Sequence, residues 1–458
     1  MPLVMLPLSH PFGYSHPLHL VGIAPEVFSQ RVDAYRRQLP PALPRPLVLI
    51  AEPDPLAFLA ALVAALTADC DVALANPAWG QSEWTAVFQQ LAPTLTLGPV
   101  PTMGALPPSV SILSQASIPQ ILIPTSGTTG SPRFVRHTWN TLSTAAQGFL
   151  NHFQTARAST CCVLPLYHVS GLMQVIRAWL SGGRLLIQPF KALLAGEIAL
   201  QPDTNWFISL VPTQLQRLIE SGHQDWLAQF RAVLVGGAPA WPSLLTAACD
   251  LPLALTYGMS ETAAQVATLL PEEFAAGHRS SGRVLPHADI QIVSESGALL
   301  PAGQMGQIIV QTPALALGSL GGAPFSDRFI TDDVGYLDPA GYLQVRGRRS
   351  QKIITGGENV FPTEVEAALL ATGQVADVCV IGLPDPEWGQ AVTAVYVPSR
   401  EQVTPTMLKQ RISGQLSAYK CPKRWVAVEQ LPRNAQGKLN RQQVLSLTSE
   451  SASGSDPE

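Results

Sequence analysis

Residues 124–133 read PTSGTTGSPR, a short segment of hydroxyl-bearing residues and glycines that directly follows the apolar run 121–123. Glycine lets neighbouring backbone N–H groups turn toward one point, and the hydroxyls add further donors. Converging donors without a carboxylate suit a polyphosphate, so the segment predicts a phosphate-binding loop after a strand. It is not a Walker A motif, because no Gly-Lys-Ser/Thr follows at the required spacing. A flexible surface loop is the alternative.

Short apolar runs alternate with helical stretches on both sides of this loop. The strand-like runs are 47–50, 71–75, 121–123, 161–164, 206–210 and 232–235. Asp54 and Pro55 predict the start of a helix through the apolar run 56–66, and another helix is predicted near 83–91. This alternation predicts an α/β fold with largely parallel sheet and with functional residues in loops at strand ends.

The chain changes character after about residue 285. Three strand-like runs separated by glycines predict a small β subdomain; they are 290–293, 307–310 and 342–345. The basic segment 346–352 follows, and beyond it a helix over 362–370 and strands near Val378 and Val392 predict an α+β unit. We therefore predict a large N-terminal domain of layered sheets and helices over 1–346, a small mobile α+β C-terminal domain over 347–448, and a disordered tail over 449–458.

Composition limits the functions that this chain can have. Hydrophobic residues make up 47% and charged residues 13%, which indicates a globular protein, and the net charge of -4 gives no support for nucleic-acid binding. Cysteines occur without a C-x-x-C pair, which favours reduced thiols in the cytoplasm. The longest apolar run, 56–66, is shorter than the roughly 20 residues that span a bilayer, and the N-terminus lacks the basic residues of a signal peptide. These features leave a homodimer open.

Further motifs follow the loop in a fixed order. They are LPLYHVSG at 164–171, VGGAP at 235–239, TYGMSET at 256–262, TDDVG at 331–335, GR at 347–348, GGEN at 356–359 and LPRNAQGK at 431–438. From about residue 45 to Arg441 the chain resembles the adenylate-forming superfamily of acyl-CoA synthetases, peptide-synthetase adenylation domains and luciferases. The resemblance implies that a carboxylate attacks the α-phosphate of Mg-ATP, and that a thiol then displaces AMP from the acyl-adenylate.

An ATP site is the first consequence of this resemblance. The residues it implies are Thr125, Ser126, Gly127, Thr128, Thr129, Gly130, Arg133, Gly236, Gly237, Ala238, Tyr257, Gly258, Ser260, Asp333 and Arg348. The loop would cradle the β- and γ-phosphates, Tyr257 would stack on adenine, and Asp333 would accept the ribose hydroxyls. Glu261 is the implied Mg²⁺ ligand, because Mg²⁺ prefers a carboxylate together with phosphate oxygens and waters. A solvated helix carboxylate is the alternative for Glu261.

The chain departs from the usual family pattern at a few positions. Arg133 and Phe134 stand where the family usually has Lys-Gly, and Asp332 stands where glycine is common. Arginine keeps the cation but offers a forked donor. The bulk of Phe134 predicts a stiffer loop and altered release of pyrophosphate.

The catalytic residues implied by the resemblance are Lys438, His168 and Arg348. A mobile C-terminal domain would bring the ammonium of Lys438 to the reacting carboxylate and the α-phosphate. The implied hinge for a later rotation of this domain is Arg349 and Ser350. The residues that would then bind coenzyme A are Gly356, Gly357 and Glu358.

The acid is predicted from two strings, YGMSETAAQ at 257–265 and GGENVFPTEVE at 356–366. They look most like the 2-succinylbenzoate–CoA ligases of menaquinone or phylloquinone synthesis. That acid is a dicarboxylate, and its non-reacting carboxylate needs a cation or dense hydrogen bonding when it is buried. Arg177 is the candidate cation, and a helix-surface arginine with a buried stem is the alternative. The acid-binding residues predicted are His168, Arg177, Ser209, Thr262 and Gln265.

Two other functions stay open at this point. One is a CoA ligase for another aromatic or medium-chain acid, or an enzyme that loads a carrier-protein thiol. The other is a non-catalytic nucleotide-binding relative. The presence of Glu261, Asp333, Arg348 and Lys438 argues against the non-catalytic reading.

Overall fold

The computed structural model describes residues 17–41, 44–101, 118–126, 132–198, 200, 202–203, 205–433 and 439–452. The strands, in chain order, are β1 (His19–Leu20), β2 (Leu47–Ile50), β3 (Asp71–Leu74), β4 (Leu95–Leu97), β5 (Ile121–Ser126), β6 (Pro132–His137), β7 (Ser159–Cys162), β8 (Arg184–Ile187), β9 (Trp206–Leu210), β10 (Ala232–Val235), β11 (Leu253–Met259), β12 (Ala264–Thr268), β13 (Arg283–Val284), β14 (Asp289–Val293), β15 (Gly306–Gln311), β16 (Gly318–Ser319), β17 (Arg328–Leu337), β18 (Leu343–Arg348), β19 (Ile353–Thr355), β20 (Glu358–Val360), β21 (Val375–Asp385), β22 (Gly389–Pro398) and β23 (Arg424–Ala427).

The α-helices alternate with these strands. In chain order they are α1 (Pro25–Arg36), α2 (Pro55–Thr67), α3 (Gln81–Gln90), α4 (Trp139–His152), α5 (Val169–Ser181), α6 (Phe190–Leu194), α7 (Pro212–Glu220), α8 (Gln224–Leu227), α9 (Pro242–Ala247), α10 (Pro271–Ala275), α11 (Pro362–Ala371), α12 (Pro405–Ile412) and α13 (Arg441–Ala452). The predicted start of α2 is confirmed, since the Asp54 carboxylate accepts a hydrogen bond from the N–H of Ala57 at 2.8 Å.

One sheet of the large domain has the strand order β16-β6-β5-β3-β2-β4. Strands β5, β3, β2 and β4 are parallel, whereas β6 and β16 pair antiparallel. In β2, Val48 and Ile50 join a cluster with α2, α4 and α5, while Leu47 and Leu49 join a cluster with α3. The strand is therefore buried on both faces, as its uninterrupted apolar run requires.

A second sheet has the order β1-β8-β7-β9-β10-β11-β12-β13, parallel up to β11 and antiparallel beyond it. Helices α4 and α5 lie between the two sheets, and Phe149 of α4 packs edge-on against Phe207 of β9 with ring centroids 5.1 Å apart. Helices α7, α8 and α9 cover the opposite face of the second sheet. The predicted α/β fold of layered sheets and helices is confirmed.

Strand β7, however, begins two residues before the predicted run 161–164 and ends before Pro165, which has no N–H to donate to a neighbouring strand.

The predicted β subdomain is the antiparallel sheet β14-β15-β17-β18, which packs through Ile290 and Val310 against Val266 of β12. Strand β18 runs on to Arg348, so the boundary predicted at 346/347 falls inside a strand, and a 3-10 turn over Arg349–Gln351 follows it.

The C-terminal unit is the sheet β20-β19-β22-β21, with β23 beside β22. Helices α11 and α12 cover one face of this sheet and α13 covers the other. Helix α13 ends at Ala452, inside the segment predicted to be a tail, and residues 453–458 lie outside the described residues. No helix in the described ranges is long and apolar enough to cross a membrane.

Candidate active site

The nucleotide motifs meet at the carboxyl ends of parallel strands, as the fold predicts. Strand β10 ends at Val235 and continues into Gly236, whose position leaves no room for a side chain: a Cβ there would lie 2.3 Å from Oγ1 of Thr256 in β11. Gly237 has a φ of +81°, in the left-handed region that favours glycine, and Ala238 is exposed. Gly236 therefore lies tightly against β11 beside the Tyr257 motif, and the contact of this backbone with a base stays a prediction.

Tyr257, Asp333 and Arg348 form one group, joined by a hydrogen bond and an ion pair. The Tyr257 hydroxyl donates to Oδ2 of Asp333 at 2.7 Å, and Nε of Arg348 lies 3.5 Å from Oδ1. Asp333 and Arg348 are paired residues of β17 and β18, so register alone places them side by side. Burial and the Asp333 carboxylate raise the pKa of Tyr257, which keeps the phenol protonated as a donor. The hydroxyl bond holds the ring in one orientation, as stacking on a base requires.

The turn that carries Glu261 is held from behind by His137. Nε2 of this buried histidine lies 2.7 Å from the carbonyl oxygen of Ser260, and Nδ1 lies 2.9 Å from Oγ1 of Thr141. Burial lowers the pKa of His137 to about 4, so the ring is neutral and Nε2–H is the donor to the carbonyl. His137 could not be predicted from the sequence, because no motif contains it and its partner is 123 positions away.

Backbone geometry is tight just after Glu261. Ala263 and Ala264 have φ values of +54° and +86°, which cost free energy for residues with a Cβ. A Cβ on Gly258 would lie 1.8 Å from the carbonyl oxygen of Ala264. The hydroxyl of Thr262 is fully buried and donates to the Ala264 carbonyl at 2.9 Å. Thr262 thus stabilises the turn, and the acid contact predicted for it stays a prediction.

Glu261 itself is partly buried, and its carbonyl accepts a hydrogen bond from the N–H of Ala316 at 2.8 Å. Across the described part of the chain, His, Cys, Asp and Glu side chains form no group of three or more that would hold a metal. A single carboxylate fits Mg²⁺ that arrives with ATP, because Mg²⁺ takes its other ligands from phosphate oxygens and waters. Bound there, Mg²⁺ would neutralise phosphate charge.

The two ends of the phosphate-loop segment lie in the paired antiparallel strands β5 and β6. Thr125 pairs with Arg133 and Ser126 with Pro132 across β5 and β6, and the Thr125 hydroxyl donates to the Arg133 carbonyl at 3.4 Å. The predicted loop residues Gly127, Thr128, Thr129 and Gly130 lie outside the described residues. Arg133 is exposed, whereas Phe134 is fully buried and packs edge-on to Trp79. Core packing on the sheet therefore accounts for the bulk of Phe134.

His168 and Ser209 are two of the residues predicted to bind the acid, and they lie at the start of α5 and in β9. His168 is the residue before α5, and its carbonyl accepts hydrogen bonds from the N–H groups of Gly171 and Leu172. Its ring contacts Tyr167 edge-on, with centroids 4.6 Å apart. Ser209 is partly buried in β9, paired with Leu234 of β10.

Arg177 and Gln265 are brought together by the fold. Nη2 of Arg177, on α5, donates to Oε1 of Gln265, on β12, at 2.5 Å. The guanidinium also lies over the Phe149 ring, 4.1 Å from its centroid. Arg177 is only 5% exposed, so the alternative of a surface arginine is wrong. Its Nε is buried without a hydrogen-bond partner, and no carboxylate of the described residues pairs with it.

The hinge and CoA-binding predictions fall on two short turns. Arg349 and Ser350 form the 3-10 turn after β18. Gly356 and Gly357 are the two-residue turn between β19 and β20, with φ values of +58° and +83°. Glu358 is exposed at the start of β20, and Lys438 lies outside the described residues.

Comparison with known proteins gives consistent matches along the chain. Residues 108–320 match the AMP-binding enzyme family, and residues 364–438 match the AMP-binding enzyme C-terminal domain. The 2-succinylbenzoate–CoA ligase of Geobacillus sp. (strain WCH70) is 35% identical over 347 residues, which cover 72% of this chain and 69% of that protein. The protein of the same name from Enterococcus faecalis is also 35% identical, over 70% of this chain and 68% of its own length.

Solved structures extend the likeness to 94% of the chain. The o-succinylbenzoate CoA synthetase of Bacillus subtilis, in complex with its acyl-adenylate intermediate, is 26% identical with a TM-score of 0.82, covering 94% of this chain and 95% of its own. A structure of the B. subtilis enzyme with ATP and magnesium, 24% identical with a TM-score of 0.80, covers 94% of this chain and 97% of its own and has the same fold. The order of the motifs, the paired domains and these matches together establish that the chain belongs to the AMP-binding enzyme family.

Proposed function

We propose that this protein is an ATP-dependent 2-succinylbenzoate–CoA ligase of menaquinone or phylloquinone biosynthesis. It converts 2-succinylbenzoate, ATP and coenzyme A to 2-succinylbenzoyl-CoA, AMP and pyrophosphate through an acyl-adenylate. The family match supports the adenylate chemistry, and the curated relatives with this activity are 33–35% identical.

The observation that carries the choice of acid is the isolated cation at Arg177. Burial lowers the pKa of Arg177 to about 9, so the group is still charged at neutral pH. A buried charge without a counter-ion is costly, and Gln265 supplies only an amide dipole and the Phe149 ring only a quadrupole. A carboxylate arriving with the substrate completes this site. A fatty acid or plain benzoate has no second carboxylate and leaves the cation unpaired.

Different residues of the chain have different roles in the adenylation step. In-line attack at phosphorus needs positioning and neutralised charge more than covalent help. Tyr257 and the backbone at Gly236 and Gly237 orient the base, and Asp333 accepts the ribose hydroxyls. Glu261 would hold Mg²⁺, which would neutralise charge on the phosphates, and Lys438 would bring a second cation to the reacting carboxylate. We assign the later thioester step to the same site after rotation about Arg349 and Ser350, with coenzyme A passing Gly356, Gly357 and Glu358.

ATP–pyrophosphate exchange with a panel of acids tests this proposal. The panel contains 2-succinylbenzoate, benzoate, a medium-chain fatty acid and a long-chain fatty acid, each at saturating ATP. We expect the highest kcat/KM with 2-succinylbenzoate. Faster exchange with a monocarboxylate would favour the alternative of a different CoA ligase or a carrier-protein-loading enzyme. Absence of exchange with every acid would favour the non-catalytic relative.

Two further properties stay proposals. We place the protein in the cytoplasm, which the absence of a membrane-spanning helix from the described residues permits, and fractionation tests it. A homodimer remains a prediction that sedimentation equilibrium would check.

A further inference from the structure

His287 lies in the loop between β13 and β14, and its ring is inserted against α4. The carbonyl of His287 accepts a hydrogen bond from Oγ1 of Thr312 at 2.8 Å, which fixes the backbone. A Cβ built on Gly148 of α4 would lie 1.9 Å from Nδ1 of His287. The ring therefore occupies space that is open only because residue 148 is glycine.

Both ring nitrogens of His287 are shielded from solvent, and neither has a hydrogen-bond partner among the described residues. Buried polar atoms are nearly always paired, because an unmade hydrogen bond costs free energy. Burial and the nearby charges of Arg177 and His152 lower the pKa of His287 to about 4, so the ring is neutral at physiological pH. A neutral imidazole holds one N–H donor, and this donor has nothing to bind.

The side chains of His287 and Arg177, each with a buried nitrogen that lacks a partner, contact adjacent residues of α4. Gly148 contacts the imidazole, and the next residue, Phe149, lies under the guanidinium of Arg177 at 4.1 Å. Nε of Arg177 is buried without a partner in the described part of the chain, as are the nitrogens of His287. Two elements distant in sequence thus present unsatisfied nitrogens beside the same stretch of helix.

We propose that His287 is a second specificity-determining residue, which donates one N–H to the same substrate carboxylate that Arg177 neutralises. The inference rests on the proposed function, because only a dicarboxylic acid brings a second carboxylate to this place. One guanidinium and one neutral imidazole give a single positive charge for a single negative charge. The imidazole adds a directed hydrogen bond, which a monocarboxylic acid cannot use.

The experiment compares two acids in pyrophosphate exchange: 2-succinylbenzoate and its monomethyl ester at the non-reacting carboxylate. His287→Leu removes the donor, His287→Gln retains an N–H donor, and Gly148→Ala leaves the imidazole present but pushes its ring away. His278→Gln is the matched control, since His278 is exposed and stacks on Tyr342. The readout is kcat/KM for the diacid divided by kcat/KM for the ester. A loss of folded enzyme lowers both values equally and leaves this ratio unchanged.

We expect His287→Leu and Gly148→Ala to lower this ratio by about ten- to hundredfold, mainly through KM for the diacid, as loss of a hydrogen bond to a charged group does. His287→Gln should lower it less than His287→Leu, and His278→Gln should leave it unchanged. An unchanged ratio in both His287→Leu and Gly148→Ala would overturn the inference. Failure of the proposed function is seen separately, because wild-type enzyme would then show no preference for the diacid over the ester.

Discussion

The Asp332 carboxylate accepts two hydrogen bonds from Ser350, one from its hydroxyl and one from its backbone N–H at 3.1 Å. Asp332 precedes the predicted ribose acceptor Asp333 in β17, and Ser350 lies in the turn between the large and small domains. The nucleotide strand is thereby tied to the predicted hinge, at a position where the family commonly has glycine.

Replacing Asp332 should loosen this turn. Each exposed hydrogen bond contributes about 0.5–1.5 kcal/mol, so Asp332→Ala is expected to raise the rate of tryptic cleavage at Arg349 and Lys352 by about two- to tenfold. Mass spectrometry of the fragments measures this rate. Asp250→Ala is the control, because Asp250 is exposed and lies outside the turn that joins β18 to β19. Equal cleavage in the wild type and Asp332→Ala would show that the contact does not restrain the hinge.

Lys438 should act in only one half-reaction. We expect Lys438→Ala to slow formation of the acyl-adenylate by about a hundredfold or more, since it removes a cation from the reacting groups. The same variant should still convert supplied acyl-adenylate and coenzyme A to the thioester at close to the wild-type rate. Single-turnover assays of each half-reaction separate the two, with Lys409→Ala on the exposed face of α12 as control. Equal losses in both half-reactions would contradict domain alternation.

Arg177 should lower the stability of the free enzyme and provide its selectivity for a dicarboxylic acid. A buried cation without a counter-ion destabilises the free enzyme. The free energy of unfolding of Arg177→Met with Gln265→Leu, measured with denaturant, is therefore expected to equal that of the wild type or to exceed it by up to about 4 kcal/mol. The same double variant should lose its preference for 2-succinylbenzoate over monocarboxylic acids. Arg157→Met, at an exposed arginine, controls for the change of residue type. A large loss of stability would mean that the cation is compensated in the free protein.

His287 should also make the free enzyme sensitive to acid. Its pKa is lowered to about 4 from the ordinary value of 6.5 by burial first and then by Arg177 and His152. The unfolded chain therefore binds more protons between these two pH values, and stability is lost as pH falls from 6.5 toward 4. We expect His287→Leu to reduce the loss between pH 7 and pH 4.5 by about 2–3 kcal/mol.

Denaturant unfolding at both pH values, without ligands, measures this difference, with His278→Gln as control. An identical pH dependence in wild type and His287→Leu would contradict the burial of a neutral ring at this position.

Local sequence chemistry predicted many elements well. The runs 206–210 and 232–235 are strands β9 and β10 at the same residues, and the Asp54 cap starts α2. The antiparallel strand β6 and the extension of β18 to Arg348 were not predicted, because both depend on pairing with partners that no local pattern names. Core packing of Phe134 against Trp79 was missed for the same reason.

The sequence by itself determined the reaction class, because the motifs carry their chemistry in short contiguous strings whose order is readable without coordinates. It also pointed to Arg177 as a cation for the acid. Only the tertiary structure decided that this arginine is buried without a counter-ion, that His137 holds the turn of Glu261, and that the His287 ring packs against α4. Burial and pairing depend on helices and strands far apart in the chain, and these meet only when the layers pack.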